Sequence, residues 1–170
     1  MIAVLSDTHS RSGHELEGRA LDAVREADVV VHAGDFITES VLDAFHDESD
    51  RLFAVHGNVD ESAVRDRLPA ARTFEAEGVR FALTHRQDGG ETGLAMFGRE
   101  RAADVVVFGH SHRPTVRDAG DVLLLNPGSH ADPRGNPAAH AELTATPRGL
   151  RGRIRERDGS VVSEFHVETG

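Results

Sequence analysis

The chain has no cysteine, no lysine, no tryptophan and no tyrosine. Without cysteine it can form neither a disulfide nor a thiolate metal site, and cysteine usage assigns no redox compartment. Without lysine, all 19 basic residues are arginine; against 29 Asp and Glu they leave a formal charge of −10. An acidic surface of that size argues against strong nucleic-acid binding, which draws on basic patches. The absence of lysine, with abundant Ala, Asp, Glu, Arg and Gly, reads as the proteome bias of a salt-loving (halophilic) microbe with GC-rich coding. In molar salt the self-repulsion is screened, since the Debye length falls to about 3 Å. No apolar run approaches a membrane span, and the opening "MIAVLSDTH" carries no basic leader region. The expectation is a cytoplasmic protein with no membrane partner; a homo-oligomer is compatible with all of this.

What is present is a set of short apolar runs, 38% of the residues being hydrophobic, in a chain of 170. That length suits one domain spanning residues 1–170 and burying roughly 70% of its unfolded surface. Strands are expected at Met1–Leu5, Asp28–His32 and Arg51–His56. Helices with inward Leu16, Ala20, Ala23, Val24 and Ala27, then Val41, Leu42 and Phe45, alternate with them. A further short helix, Glu61–Leu68, is stopped by Pro69. This rhythm predicts βαβ units and a largely parallel sheet. A hairpin about Glu77-Gly78 (Arg72–His85), a helix at Gly93–Ala103 and the strand "DVVVF" follow. Short strands then come at Thr115–Asp118, Val122–Leu125, Ala139–Ala145, Leu150–Arg155 and Val161–Val167. Such a strand-rich tail suggests a second sheet packed on the first.

Five of the apolar runs end alike. Ser6-Asp7-Thr8-His9, His32-Ala33-Gly34-Asp35, His56-Gly57-Asn58-Val59-Asp60, Thr84-His85 and Gly109-His110-Ser111-His112 each follow a strand. In an open α/β sheet, sites form outside the carboxyl ends of strands, so all five sets can converge. With 15 Asp and 11 His in the chain, one Asp-x-His arises by chance about once. Gly120-Asp121 and Gly135-Asn136 show that the Gly-Asp and Gly-Asn pairs also occur in ordinary turns. The ordered set at strand ends is the signal. Imidazole, carboxylate and amide oxygen together suit borderline-to-hard divalent ions such as Mn²⁺, Fe²⁺, Ni²⁺ or Zn²⁺. Asp7 and His9 alternate on what reads as an extended segment, so both would face one ion. Seven candidate ligands exceed one tetrahedral site and favour two metals, an arrangement suited to phosphoryl displacement.

In that order the motifs resemble those of the calcineurin-like metallophosphoesterases. The short length, with "SDTH", "HAGD", "GNVD", "GHSH", "NPGS" and "PRG", looks most like the small YfcE-type phosphodiesterases. The resemblance covers Met1 to about Gly135. It implies an α/β fold of two mixed β-sheets packed as a sandwich flanked by helices. It also implies a phosphodiesterase that cleaves small phosphate esters by attack of a metal-bridging hydroxide. By the same resemblance Asp7, His9 and His112 would hold one divalent ion, Mn²⁺ foremost, and Asn58, His85 and His110 the other, with Asp35 bridging. Asn58 and His85 would thus sit where the chemistry happens. Many members have His after Gly-Asn as the proton donor to the leaving group; here Val59 stands there, as in the small subgroup, which predicts modest rates and a need for good leaving groups. Where the family often shows Thr-His-Gly-His, this chain has Thr84-His85-Arg86-Gln87, and Arg86 is a candidate phosphate contact. The rival reading is a non-catalytic, Vps29-like scaffold that uses the metal site to bind other proteins; complete ligand types favour the enzyme. A nuclease of this fold is disfavoured because the chain has no basic groove.

The remaining polar residues have plainer readings. His32 and His56 suit roles behind the ligands, and His14, His46, His140 and His166 suit surface or core packing. His130 is not expected to act directly, and Asp60 is expected to cap or orient the loop after Asn58. "NPGS" is first a turn. Arg151, Arg153, Arg155 and Arg157 alternate at period two and are expected on one solvated strand face, paired with acids.

Overall fold

Strand β1 (Ile2–Leu5) is buried on both faces, and its alternation divides the protein into layers. Ile2 and Val4 point into the space between two sheets; Ala3 and Leu5 point the other way, under helices. The computed structural model describes residues 1–168. After β1 come α1 (Gly18–Glu26), β2 (Val29–His32), α2 (Glu39–Glu48), β3 (Leu52–Ala54) and α3 (Ser62–Arg67). The hairpin β4 (Ala71–Ala76) and β5 (Val79–Thr84) leads to α4 (Gly90–Arg99), β6 (Val105–Val107), β7 (Thr115–Asp118) and β8 (Leu123–Asn126). Three longer strands follow: β9 (Ala139–Thr146), β10 (Gly149–Glu156) and β11 (Val161–Glu168).

The strands form two mixed sheets, ordered β11-β10-β9-β1-β2-β3 and β4-β5-β6-β8-β7. β1, β2 and β3 are parallel, as are β5, β6 and β8; the other neighbours are antiparallel. The main core lies between the sheets and includes Val4, Val31, Phe81, Leu83, Val107, Leu125, Leu143 and Ile154. Helices α1, α2 and α3 cover the outer face of the first sheet through Ala23, Val24, Leu42, Phe45 and Val64. Helix α4 covers the second sheet through Leu94 and Phe97 against Val106 and Leu124. The expected sandwich flanked by helices is thus observed.

Two expectations are corrected. The tail strands β9–β11 do not form the second sheet. They extend the first, because β9 pairs antiparallel with β1, from Ile2 opposite Leu143 to Val4 opposite Ala141. Ala141 and Leu143 alternate with His140 and Glu142, so β9 presents an apolar face to the sandwich and closes an edge β1 would otherwise expose. The second sheet is built instead from the middle of the chain. Helix α4 also begins and ends earlier than Gly93–Ala103. Gly89, at φ 87°, starts it, and the Gly98 carbonyl accepts the N–H groups of both Arg101 and Ala103, which closes it. On β10 Leu150 and Ile154 turn inward and Arg151 and Arg153 pair with Glu164 on β11 as expected, whereas Arg155, past a bulge, pairs with the buried Glu142 and Arg157 lies beyond the strand, paired with Glu17.

Candidate metal centre

Strands β1, β2 and β3 of the first sheet and β5 and β6 of the second run their carboxyl ends to one place. The seven residues Asp7, His9, Asp35, Asn58, His85, His110 and His112 meet there. His9 Nε2 lies 3.1 Å from Asp35 Oδ2, and His85 Nε2 lies 3.2 Å from the same oxygen. His112 Nε2 is 3.5 Å and His9 Nε2 3.8 Å from Asp7 Oδ1. Asn58 Oδ1 is 2.9 Å from both His85 Nε2 and His110 Nδ1. Two groups have donor atoms close enough to share an ion: Asp7, His9 and His112, and Asp7, Asp35 and His85. Asp7, Asp35, His85 and His112 are buried, whereas Asn58 and His110 are exposed at the mouth.

The backbone achieves this in an unexpected way. Asp7 and His9 are not on an extended segment: their φ angles are 54° and 46°. Asp35, His110 and His112 are left-handed too, at 63°, 71° and 57°. These are conformations that non-glycine residues seldom take, and at each the chain turns sharply enough to aim successive side chains into one volume. Two motif glycines are there for close approach. A Cβ on Gly57 would sit 2.0 Å from Asp35 Oδ1, and one on Gly109 would sit 2.0 Å from Ser6 Oγ and 2.7 Å from Asp7 Oδ2.

The other lone pairs of the two carboxylates are already used. Asp7 Oδ2 accepts the Ser6 hydroxyl at 2.7 Å and the His110 N–H at 3.0 Å, which leaves Oδ1 facing the histidines. Asp35 Oδ1 accepts the Val59 N–H at 3.0 Å, which leaves Oδ2. Among the described residues no arginine pairs with either carboxylate, so imidazoles alone face them. Burial pushes the Asp7 carboxyl up, with His85, Ser6 and His112 opposing. Burial also works to raise Asp35, but hydrogen bonds from His85 and His9 outweigh it and hold that carboxyl well below the usual range. Burial pulls His85 down, yet Asp35 and Asp7 push its imidazole up overall. His110 is lowered by burial and by the charges of His85 and Arg86.

The histidine tautomers fit cation binding. His85 Nδ1 donates to the Ala33 carbonyl at 2.7 Å, so Nε2 faces Asp35 Oδ2 and Asn58 Oδ1, with a proton when the ring is charged and with a lone pair when it is neutral. Three acceptors converging on one point require a proton or a cation between them. The donor set itself, imidazole with carboxylate and amide oxygen, fits a borderline-to-hard divalent ion.

Around the cluster, Asp132 is a residue that motif reading missed. Its carboxylate lies 3.7 Å from His9 Nδ1 and 3.6 Å from His112 Nδ1, and its carbonyl accepts from His112 Nδ1. The "PRG" that follows it was the one local signal. Ser129 of "NPGS" donates to the Asp7 carbonyl at 2.7 Å and accepts the Asp132 N–H at 2.8 Å. Asp60 orients its loop as expected. His32 is buried behind the site, with Nε2 2.9 Å from the Thr8 hydroxyl and its ring stacked on Phe36. His130 is buried against Phe45, its Nε2 on the His14 carbonyl, away from the cluster. The Val59 side chain is 40% exposed and donates nothing. Arg86 stays outside the cluster, on the wall of a pocket beside Asn58.

A two-sheet α/β sandwich with carboxylates, imidazoles and an amide gathered at five strand ends defines a protein built around a candidate metal centre. The chain belongs to the calcineurin-like phosphoesterase superfamily, whose domain matches residues 1–146. A probable metallophosphoesterase of Methanothermobacter thermautotrophicus is 35% identical over 138 residues, 79% of each chain. The phosphodiesterase YfcE of Escherichia coli is 30% identical over 109 residues, 61% of this chain and 58% of its own. The YfcE structure aligns with a TM-score of 0.73 at 21% identity, over 98% of this chain and 99% of that one. Vps29 of Entamoeba histolytica, solved with zinc, aligns at 0.78 and 22% identity over 99% of both chains. The two structural likenesses speak for the fold. No helix among the described residues is long and apolar enough to cross a membrane.

Proposed function

We propose that this chain is a two-metal phosphoesterase that acts on phosphodiesters. The observation that carries the reading is the position of Asp35 Oδ2, 3.1 Å from His9 and 3.2 Å from His85, with Asp7 common to the two donor groups. On this reading Asp7, His9 and His112 hold one ion and Asn58, His85 and His110 the other, and Asp35 serves both. Divalent ions there, Mn²⁺ foremost and Ni²⁺, Fe²⁺ or Zn²⁺ as alternatives, would supply Lewis acidity towards a phosphoryl oxygen and lower the pKa of water. The protein's own part is to present the lone pairs. Ser6 and the His110 N–H occupy one oxygen of Asp7, Val59 N–H occupies one oxygen of Asp35, and Ala33 fixes the His85 tautomer. No side chain at the Val59 position can protonate a leaving alkoxide, so esters with good leaving groups are favoured. Arg86, at the rim, is assigned to contact the phosphate or its substituent.

The test is hydrolysis of bis-p-nitrophenyl phosphate in molar KCl, with Mn²⁺ and then with chelator. Turnover that needs metal and disappears in Asp35→Asn is expected. A folded, metal-loaded sample inert to both diester and monoester would overturn the reading and return the protein to the Vps29-like scaffold class.

A further inference from the structure

The cluster has a pocket on each flank, and the two differ in charge. On the His9 side a pocket of about 400 Å³ is lined by Glu15, Glu17 and Asp132 together with Arg11 and Arg157. The charges there are paired: Arg11 with Glu61 at 2.9 Å, Arg157 with Glu17 at 2.9 Å, and Asp132 with Arg134 at 3.0 Å. On the Asn58 side a pocket of about 290 Å³ is lined by His56, Asn58, Arg65, Thr84, Arg86 and Gln87, with no carboxylate on its wall. In a chain of net charge −10 that is a local reversal of sign.

Neither guanidinium of the second pocket has an ion pair among the described residues. Arg65 donates from Nε to the Asp60 carbonyl at 2.8 Å and from Nη2 to the Asn58 carbonyl at 2.7 Å. Carbonyls satisfy its hydrogen bonds and fix its plane, but leave its charge whole. Arg86 makes no ion pair with any described residue, whereas most arginines of the chain do. Its backbone is held by the turn it sits in: the Thr84 hydroxyl donates to the Arg86 carbonyl at 3.2 Å, and the Gln87 amide donates to that hydroxyl at 3.0 Å. One preset and one free guanidinium, beside a candidate metal ligand and with no carboxylate on the pocket wall, form a cradle for an anion.

We propose that this pocket is an anion subsite, and that the substrates are phosphate esters carrying a second anionic group, phosphate or carboxylate, on the substituent that lies over Asn58. The substituent on the His9 side, where the charges are already paired, is uncharged. This rests on the reading of the Asp7–Asp35 cluster as the place where the ester is cleaved.

The experiment compares thymidine 5′-(p-nitrophenyl phosphate) with its 3′-phosphorylated counterpart, using Mn²⁺-loaded protein at one ionic strength. The wild type is expected to favour the 3′-phosphorylated ester in kcat/KM by about tenfold or more, the range of a charge-assisted contact. Arg86→Gln should bring the ratio close to one, and Arg86→Lys should retain part of it. Equal use of the two esters by the wild type would overturn the subsite while leaving the phosphoesterase reading intact. If neither ester is hydrolysed, that reading fails, and calorimetry with thymidine 3′,5′-bisphosphate against the 5′-monophosphate decides the subsite separately. Tighter binding of the bisphosphate that Arg86→Gln abolishes would sustain it; equal binding, or none, would end it.

Discussion

The Oδ2 atom of Asp60 accepts the backbone N–H of Asp35 at 3.0 Å. The same carboxylate takes the N–H of Gly57 at 2.7 Å and, through Oδ1, that of Ile37 at 2.7 Å. One buried acid therefore ties the loop after β2 to the loop after β3, and holds Asp35 and Asn58 at their mutual distance. Hydrogen bonds to a charged acceptor are worth about 1.5–3 kcal/mol each, and buried donors left alone cost as much again. Asp60→Ala is expected to lower folding stability by about 3 kcal/mol or more, read as a fall in the urea midpoint. Asp60→Asn, which keeps one acceptor, should fall between. Both should weaken Mn²⁺ binding in calorimetry, although Asp60 faces away from the metal donors.

Asp132 touches the far nitrogens of two candidate ligands at once, His9 and His112. At 3.6–3.7 Å the carboxylate acts as a charge that raises donor basicity rather than as a hydrogen-bond partner, and loss of such an outer group typically costs 10–100-fold in metal affinity. Asp132→Ala should show that loss in metal titrations with little change in apo stability, since its side chain is 38% exposed. Unchanged affinity would mean that the backbone carbonyl alone orients His112.

Metal and fold should be linked. Asp7 and Asp35 are buried with only imidazoles facing them, so an ion that binds the native state alone removes an electrostatic cost. At a hundredfold excess over Kd, each bound Mn²⁺ is expected to add about 2.7 kcal/mol to stability, and chelator to remove it. For a chain of this length that is a Tm shift of roughly 5–10 °C. Asp35→Asn should abolish most of the shift while leaving the apo protein folded.

Acid should cost stability over two pH ranges, to each of which a named residue contributes. Burial pulls His130 from its ordinary 6.5 down to about 4, so the folded state favours the neutral ring. Its contribution is complete above pH 6.5 and is lost as pH falls towards 4. Burial works to raise Glu142, but hydrogen bonds from His140 at 2.9 Å and from Arg19 at 2.7 and 2.9 Å hold it at about 2, below its ordinary 4.5. Its folded pKa is depressed, so its stabilisation, about 3 kcal/mol, is present above pH 4.5 and disappears between 4.5 and 2. Urea midpoints measured against pH should show both limbs. Glu142→Gln should flatten the lower one and leave the upper one in place.

The candidate site was legible to the extent that its residues sit next to the apolar runs that carry them. Asp7, Asp35, Asn58, His85, His110 and His112 each lie within a few residues of a strand end, and parallel strands bring their ends together. Asp132 was not legible in that way. It follows a turn, and it meets His9 across 123 positions through the packing of the loop before β9. Likewise, the alternation of Ala141 and Leu143 marks β9 as a strand but does not say which edge it joins. Local pattern specifies period and burial, whereas β pairing is a long-range choice between edges.

By itself, then, the sequence determined the alternating elements and the set of metal-type donors, because those follow from hydrophobic period and from residue chemistry at strand ends, while the two-sheet sandwich was implied by family resemblance. Tertiary structure alone decided three things: the joining of β9–β11 to the first sheet, the left-handed turns at Asp7 and His9, and the unneutralised charge of Arg86 beside Asn58. Each depends on which distant groups come within a few ångströms, and a linear pattern of residues does not carry distances across a fold.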